Sequence, residues 1–130
     1  MYLYHWTTYT EAFKIISKNK MKKRRWKHFI EEEKNLLSGI SFGFSVDKWK
    51  ADHDVCFVFN LEELTKNFKN YLINGNKTYL RTQGIINPEF DPTAWIFEDN
   101  KIDECFIVED IENVNDYIVD VLINNLTYLS

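Results

Sequence analysis

The chain has 130 residues, of which 45% are hydrophobic and 16% aromatic, and its net charge is −4. That length is typical of one domain with its own core, and so many large apolar side chains exclude a disordered chain. No stretch resembles a signal peptide or approaches the roughly 20 apolar residues of a membrane span. We therefore predict a single soluble, cytoplasmic domain over residues 1–130.

Charge is unevenly distributed along the chain. Seven of the 16 Lys and Arg residues lie between Lys18 and Lys27, whereas 11 of the 20 Asp and Glu residues lie between Glu89 and Asp120. Two charged faces of this kind are most often solvated surface. The alternative is that the basic segment, which contains Trp26, contacts phosphates or nucleic acid.

Residues 2–6 are predicted to form the first strand, and a helix follows it. Thr8 and Glu11 have capping-box spacing, and apolar residues recur after Thr8 at helical intervals. The basic segment is expected to begin in a loop. Residues 28–37 are predicted to form a second helix, which ends at Ser38-Gly39.

The middle of the chain predicts two more strands. The first covers residues 40–44, where Gly43 marks the close approach of a backbone or a ligand. Residues 45–51 are expected to form a short helix capped by Ser45. The apolar, β-branched segment 54–60 is typical of a strand buried on both faces.

The second half of the chain continues with short elements. Asn60 is placed to cap a helix, and Asn74-Gly75 is the typical turn of a β-hairpin. The predicted elements are a helix over 61–68, a hairpin over 71–80, an irregular loop over 83–95, a strand over 102–111, a short turn or helix over 112–117, and a last strand over 117–123. Five to seven strands with two or three short helices, mainly in the N-terminal half, predict an α+β fold.

Cysteine, histidine and tryptophan positions favour packing roles. Cys56 and Cys105 fall in apolar strands, so buried free thiols are expected rather than a disulfide. His53 and Cys56 lack a second ligand pair at zinc spacing, so no metal site is predicted. Trp26 is expected to be the exposed tryptophan, the other three are expected in the core or a pocket wall (Trp6, Trp49 and Trp95), and two histidines are expected at the surface (His28 and His53).

Motifs of common enzyme classes are missing from the sequence. It contains no Gly-x-Ser-x-Gly elbow, phosphate-binding glycine loop or dinucleotide fingerprint. What remains is an ordered triplet: His5 in the first strand, Ser41 in the next, and Glu104 at the start of a late strand. Taken singly, His5 is more often a hydrogen-bonded core residue, Ser41 a strand-end hydrogen bonder and Glu104 a solvated charge.

Taken together, these segments resemble a known family. "LYHWT" before a helix, "GISFGFS" before a Trp-containing helix, and "DECFIV" before "YIVDVLI" resemble the ADP-ribosyltransferase fold, in the form of its small phage and toxin members with a first-strand histidine. The resemblance covers nearly the whole chain in order and spacing. It implies a split β-sheet sandwich and NAD as the substrate that donates ADP-ribose.

The resemblance also implies roles for individual residues. His5 would bind ribose hydroxyls, Trp6 would hold the nicotinamide carboxamide through its backbone beside Thr7, and Ser41 would orient the catalytic acid. Glu104 would be that acid, because a fixed carboxylate stabilises the oxocarbenium-like charge that builds on the ribose. The nicotinamide would be walled by an aromatic ring of the second motif (Phe42 or Phe44).

Two departures from the family pattern bear on these roles. Many members have glycine after the histidine, so the ring of Trp6 must turn aside. Glu104 competes with Asp103 and Glu98, since a slip of one residue along a strand reverses the face of every side chain.

The sequence thus leads to a principal function and to alternatives. The principal one is an NAD-dependent mono-ADP-ribosyltransferase that modifies a protein or nucleic-acid acceptor. Lys, Asn and Ile account for 39 residues, a bias typical of AT-rich genomes such as those of many phages, for which host machinery would be the target. The alternatives are a non-catalytic inhibitor or binding module that docks a protein or nucleic acid through its charged faces, and an NAD-dependent transferase that removes a 2′-phosphate from RNA.

Overall fold

The structure, a computed structural model, describes residues 1–26, 37–75 and 102–124. Within these ranges the chain forms nine strands, two α-helices and a 3₁₀ turn, which confirms the α+β class. The strands are β1 (Tyr2–Thr7), β2 (Lys20–Met21), β3 (Arg24–Trp26), β4 (Leu37–Gly43), β5 (Val55–Asn60), β6 (Tyr71–Gly75), β7 (Ile102–Ile107), β8 (Ile111–Glu112) and β9 (Ile118–Ile123); the helices are α1 (Tyr9–Lys18) and α2 (Leu61–Asn67), and the 3₁₀ turn is Val114–Asp116.

Seven of these strands form the main sheet. Its order is β6-β7-β4-β1-β5-β9, and β3 pairs with β4 off this path. The pairings within it are antiparallel. The two shortest strands, β2 and β8, form a separate ribbon that joins the basic segment to the acidic part of the chain.

The main core covers one face of the sheet. Because side chains alternate along a strand, Leu3, Phe42 and Phe57 point to the same face, and each is fully buried. Both α-helices pack on this core, and their buried residues are Ala12, Ile15, Leu61 and Leu64. On the opposite face a smaller cluster surrounds Trp6, Cys56 and Val58. Strand β5 is therefore buried on both faces, as its apolar sequence predicts.

The helix starts agree with the capping signals. The hydroxyl of Thr8 accepts a hydrogen bond from the backbone N–H of Glu11 at 3.2 Å. At α2, the side-chain oxygen of Asn60 accepts one from the N–H of Glu63 at 3.0 Å. Each cap satisfies an N–H that has no partner inside the helix, and this fixes where the helix begins.

The basic segment differs from the prediction, because it contains strands β2 and β3 instead of beginning as a loop. Ser38-Gly39 does not end a helix but lies inside β4. A side chain at Gly39 would bring its Cβ within 3.0 Å of the carbonyl oxygen of Ile107, so this glycine allows β4 to approach β7. The predicted helix over 28–37 lies outside the described residues, except for Leu37, which begins β4.

The segment after β4 forms consecutive turns rather than the predicted helix. The hydroxyl of Ser45 accepts a hydrogen bond from the N–H of Asp47 at 3.3 Å and so caps a turn. A Cβ at Gly43 would lie 3.1 Å from the Cβ of Lys48, which confirms the close approach inferred for this glycine. Trp49 is 40% exposed, so its predicted place in the core or a pocket wall is wrong.

Two predictions for the later elements also change. Asn74-Gly75 is part of β6 and pairs with β7 across a bulge, so it is not a hairpin turn. The predicted strand over 102–111 is divided into β7 and β8. The predicted loop over 83–95 lies outside the described residues, as do His28 and Trp95.

Both cysteines, Cys56 and Cys105, are buried free thiols. Burial raises the pKa of Cys56 to about 12 and that of Cys105 still further. In the parts of the chain that the structure describes, no helix is long and apolar enough to cross a membrane.

Candidate functional site

The site lies where β1 and β4 separate. Strand β1 pairs with β5 along its whole length, but with β4 at a single registered position, Tyr4 opposite Gly43. Beyond that pair, the side chain of His5 bridges the two strands, because its Nδ1 lies 2.7 Å from the carbonyl oxygen of Ser41. The main sheet is therefore open on one side of the C-terminal end of β1.

A cavity of about 520 Å³ occupies this opening. Residues 5–8, one side of α1, residues 20–24, residues 39–41 and His53 line it, and we call it the β1–β4 cavity. Its volume is within the usual range for pockets that hold small molecules and cofactors.

His5 has both of the roles that the sequence leaves open, since it makes a structural hydrogen bond and also lines the cavity. Burial lowers its pKa to about 4; the Ser41 carbonyl opposes this shift, while the charge of Arg24 and that of His53 add to it. The ring is therefore neutral near pH 7. Because the carbonyl oxygen can only accept, Nδ1 carries the hydrogen and Nε2 is left as a hydrogen-bond acceptor.

Ser41 lines the cavity, but its hydroxyl is enclosed by protein and is not exposed there. Its side chain is buried, and its Oγ has no hydrogen-bond partner among the described residues. A buried polar group without a partner costs about 1–3 kcal/mol.

Six cationic side chains line the cavity. Two of them, Lys14 and Arg24, are bound by Glu11 at 3.6 and 2.9 Å, and Lys20 is bound by Glu112 at 2.8 Å. The other three have no carboxylate partner within ion-pair distance in the described ranges (Lys18, Lys22 and Lys23). The cavity is therefore positively charged and suits an anionic ligand.

Trp6 and Thr7 also line the cavity, as the resemblance implies for an NAD site. The indole ring of Trp6 packs with Cys56 and Val58 on the opposite face of the sheet, and its Nε1 donates to the carbonyl of Val46 at 2.7 Å. The ring is thus turned aside, as the large residue at this position requires.

Glu104 does not line this cavity. Strand register is the reason. Gly43 pairs with Tyr4 and with Glu104, which places those two side chains on one face of the sheet. His5 follows Tyr4 and points to the other face. Ser41, two residues before Gly43, lies on the face of Glu104.

The other residues predicted for the site lie apart from the cavity. Phe42 is fully buried in the core, where its ring contacts those of His5 and Phe59, so it is no cavity wall. Phe44 packs against the same core and does not line the cavity either. Among the competitors of Glu104, Asp103 forms an ion pair with Lys48 at 2.7 Å, and Glu98 lies outside the described residues.

Sequence reasoning missed three titratable residues that line the cavity, Glu11, Lys14 and His53. A usable signal existed for Glu11, since Glu11, Lys14 and Lys18 recur at helical spacing beside the buried face of α1. None existed for His53, which was predicted at the surface. It reaches the cavity because β5, which it precedes, pairs with β1, and this pairing is not encoded locally.

The fold and site define an α+β protein with a cation-lined cavity at the opening of an antiparallel sheet. No protein-family model, curated protein or solved structure matches the chain. Among the described residues no group of three or more His, Cys, Asp or Glu side chains is arranged to hold a metal ion.

Proposed function

We propose that this protein binds NAD in the β1–β4 cavity and is an NAD-dependent mono-ADP-ribosyltransferase. The observation that carries the proposal is that four residues assigned to NAD by the family resemblance line one cavity (His5, Trp6, Thr7 and Ser41). The three segments of the resemblance also lie on neighbouring strands, in the order β1, β4, β7.

The chemistry of the cavity fits such a ligand. Unpaired lysines offer charge-assisted hydrogen bonds to a pyrophosphate. The neutral ring of His5 offers Nε2 as an acceptor for a ribose hydroxyl.

NAD brings a reactive nicotinamide–ribose bond, and the protein has to hold it and stabilise the charge that builds on the ribose. The resemblance gives that task to Glu104. In this structure Glu104 lies on the same sheet face as Ser41, while His5 lies on the other. Ser41 is therefore the link between the two groups, and the role of Glu104 is a proposal that mutation must test.

The acceptor is proposed to be a protein or a nucleic acid, and host machinery if the chain is phage-encoded. Lys18, Lys22 and Lys23 line the cavity and have no carboxylate partner in the described ranges. Their positive charge would attract an acceptor that carries phosphates or carboxylates. If they contact nucleic acid, affinity will fall steeply with salt.

A second function is favoured by the position of Glu104 outside the cavity. The protein would then be a non-catalytic module that docks an anionic partner, a host protein or a nucleic acid, at the unpaired lysines. It would bind that partner without consuming NAD.

One experiment separates the two functions. The purified protein is incubated with NAD labelled in its adenylate part and with host lysate, and label is measured separately on protein and on nucleic acid. The first function predicts covalent label and release of nicotinamide. A stable complex with a lysate component, without either, would favour the second.

Glu104→Gln tests the catalytic assignment, with Glu109→Gln as a matched control on the same part of the chain. We expect Glu104→Gln to abolish labelling without lowering the melting temperature. Labelling at the wild-type rate would show that another group performs the role assigned to Glu104.

A further inference from the structure

His53 is a second imidazole in the β1–β4 cavity, and the roles described above do not use it. It is partly buried in the turn before β5 and lines the cavity together with His5 and Ser41. The two imidazoles therefore belong to one cavity.

The ring of His53 is held in one orientation. Its Nδ1 lies 2.7 Å from the carbonyl oxygen of Trp49 and donates to it, so in the neutral ring Nε2 carries the lone pair. Trp49 has a φ of 66°, a left-handed conformation that a bulky residue seldom adopts. Residues with such a strained backbone conformation cluster at functional sites.

The backbone of His53 is anchored as well. Asn124 is a buried polar residue, and its side-chain amide donates to the carbonyls of Lys50 at 2.9 Å and His53 at 3.1 Å. The N–H of His53 in turn donates to the carbonyl of Lys50 at 3.3 Å. The buried side-chain amide of Asn124 therefore holds the turn that carries His53 in one conformation.

Among the described residues of the cavity, His53 is the group best suited to take up a proton. The Glu11 carboxylate is engaged by Arg24 and Lys14. Burial holds the ring of His5 neutral and makes it a poor proton acceptor. Lysine ammonium groups only donate.

We infer that His53 is the general base of the β1–β4 cavity and accepts the proton of the nucleophile that attacks the ribose. This inference rests on the proposed function. The bond between ribose C1′ and nicotinamide breaks, and its electron pair leaves with nicotinamide, which departs neutral. A bond forms between C1′ and the acceptor oxygen or nitrogen, and the acceptor proton moves to Nε2 of His53 and then to water.

Several charged groups surround this base. His5, Glu11, Lys14 and Arg24 share the cavity with it. Asp52 and Asp54 flank it in the chain, and Asp54 is oriented toward α1 by the N–H of Tyr9. The pH dependence of the reaction can therefore be assigned to His53 only by comparing the wild-type protein with the His53 variants.

The test measures nicotinamide release from NAD between pH 5 and 9 with water as the acceptor, and NAD binding by calorimetry. His53→Asn keeps an N–H for the carbonyl of Trp49 and removes the base; His53→Ala leaves room for added imidazole. The same change at the third histidine, His28→Asn, is the control. General-base catalysis predicts a kcat lower by about 100-fold or more, with NAD affinity changed less than about threefold.

Two further readouts exclude a merely structural role. The acidic limb of the pH–rate profile should vanish in His53→Asn, and imidazole should restore part of the activity of His53→Ala. Wild-type kcat and pH profile in both variants would overturn the inference and leave the proposed function intact. Failure of the wild-type protein to bind or consume NAD would refute the proposed function itself.

Discussion

Stability should depend on pH through His5. The pKa of this ring is about 4 in the folded protein, against 6.5 for an ordinary histidine, because burial disfavours the charged form. Above pH 6.5 the ring is neutral in both the folded and the unfolded states, and the full stability is present. As the pH falls below 6.5, the unfolded chain takes up a proton that the folded protein does not, so stability is lost until the pH reaches about 4.

The expected loss follows from the size of this window. One pKa unit corresponds to about 1.4 kcal/mol, so the window from 6.5 to about 4 makes the free energy of unfolding fall by about 3 kcal/mol. Carboxylates also titrate in this range. Their contribution cancels in the difference between the wild-type protein and His5→Asn, which keeps an N–H for the carbonyl of Ser41 but does not titrate.

The assay is urea unfolding of both proteins at several pH values between 4 and 8, with the m-value checked for constancy. The difference in free energy of unfolding should shrink by about 3 kcal/mol toward acid pH. NMR of the three imidazoles should show one that stays neutral, with its hydrogen on Nδ1, to below pH 5. Parallel stability curves, or three rings that all titrate near pH 6.5, would refute the burial of this ring as described.

Three more predictions address individual side chains. Ser41→Ala should leave the free energy of unfolding unchanged or raise it by about 1 kcal/mol, since an unsatisfied hydroxyl is removed; a large loss of stability in urea unfolding would mean that this hydroxyl is already satisfied. Thr8→Ala should lower the free energy of unfolding by about 1 kcal/mol through the lost cap of α1, and an equal loss in Thr10→Ala would contradict that cause. Because burial raises the pKa of both thiols, a disulfide reagent at pH 8 should label Cys56 and Cys105 only after urea is added, and rapid labelling of the native protein would contradict their burial.

Local signals explain which parts of the fold the sequence predicts. The capping residues Thr8 and Asn60 determine helix starts through hydrogen bonds to residues three positions away. The apolar segment of β5 identifies a strand buried on both faces from its composition. These features need no knowledge of distant partners, and each agrees with the structure.

Long-range pairing explains the errors. Lys20–Met21 forms a strand because it pairs with Ile111–Glu112, which lies far along the chain. Gly39 resembles a helix terminator, yet it lies in a strand because the neighbouring β7 approaches it closely. Nothing within a few residues of either position reports such a partner.

Strand register explains why some of the predicted site residues line the cavity and Glu104 does not. His5, Trp6, Thr7 and Ser41 are brought to one cavity because they lie at facing ends of two neighbouring strands. The face of Glu104 depends on which residue of β4 pairs with it, and that choice has a period of two. The local sequence does not encode that choice, so it could not show that the side chains of Glu104 and His5 lie on opposite faces of the sheet.

The uneven pairing of β1 has a dynamic consequence. With six registered pairs to β5 and one to β4, β1 belongs mainly to the half of the sheet that ends in β9. Local unfolding starts where the fewest backbone hydrogen bonds have to break. Backbone amides at the boundary between β1 and β4 should therefore exchange with solvent at a lower free energy of opening than those in β5. A ligand that contacts both His5 and Ser41 would join β1 to β4 across this boundary. Its binding should therefore slow amide exchange in both halves of the sheet.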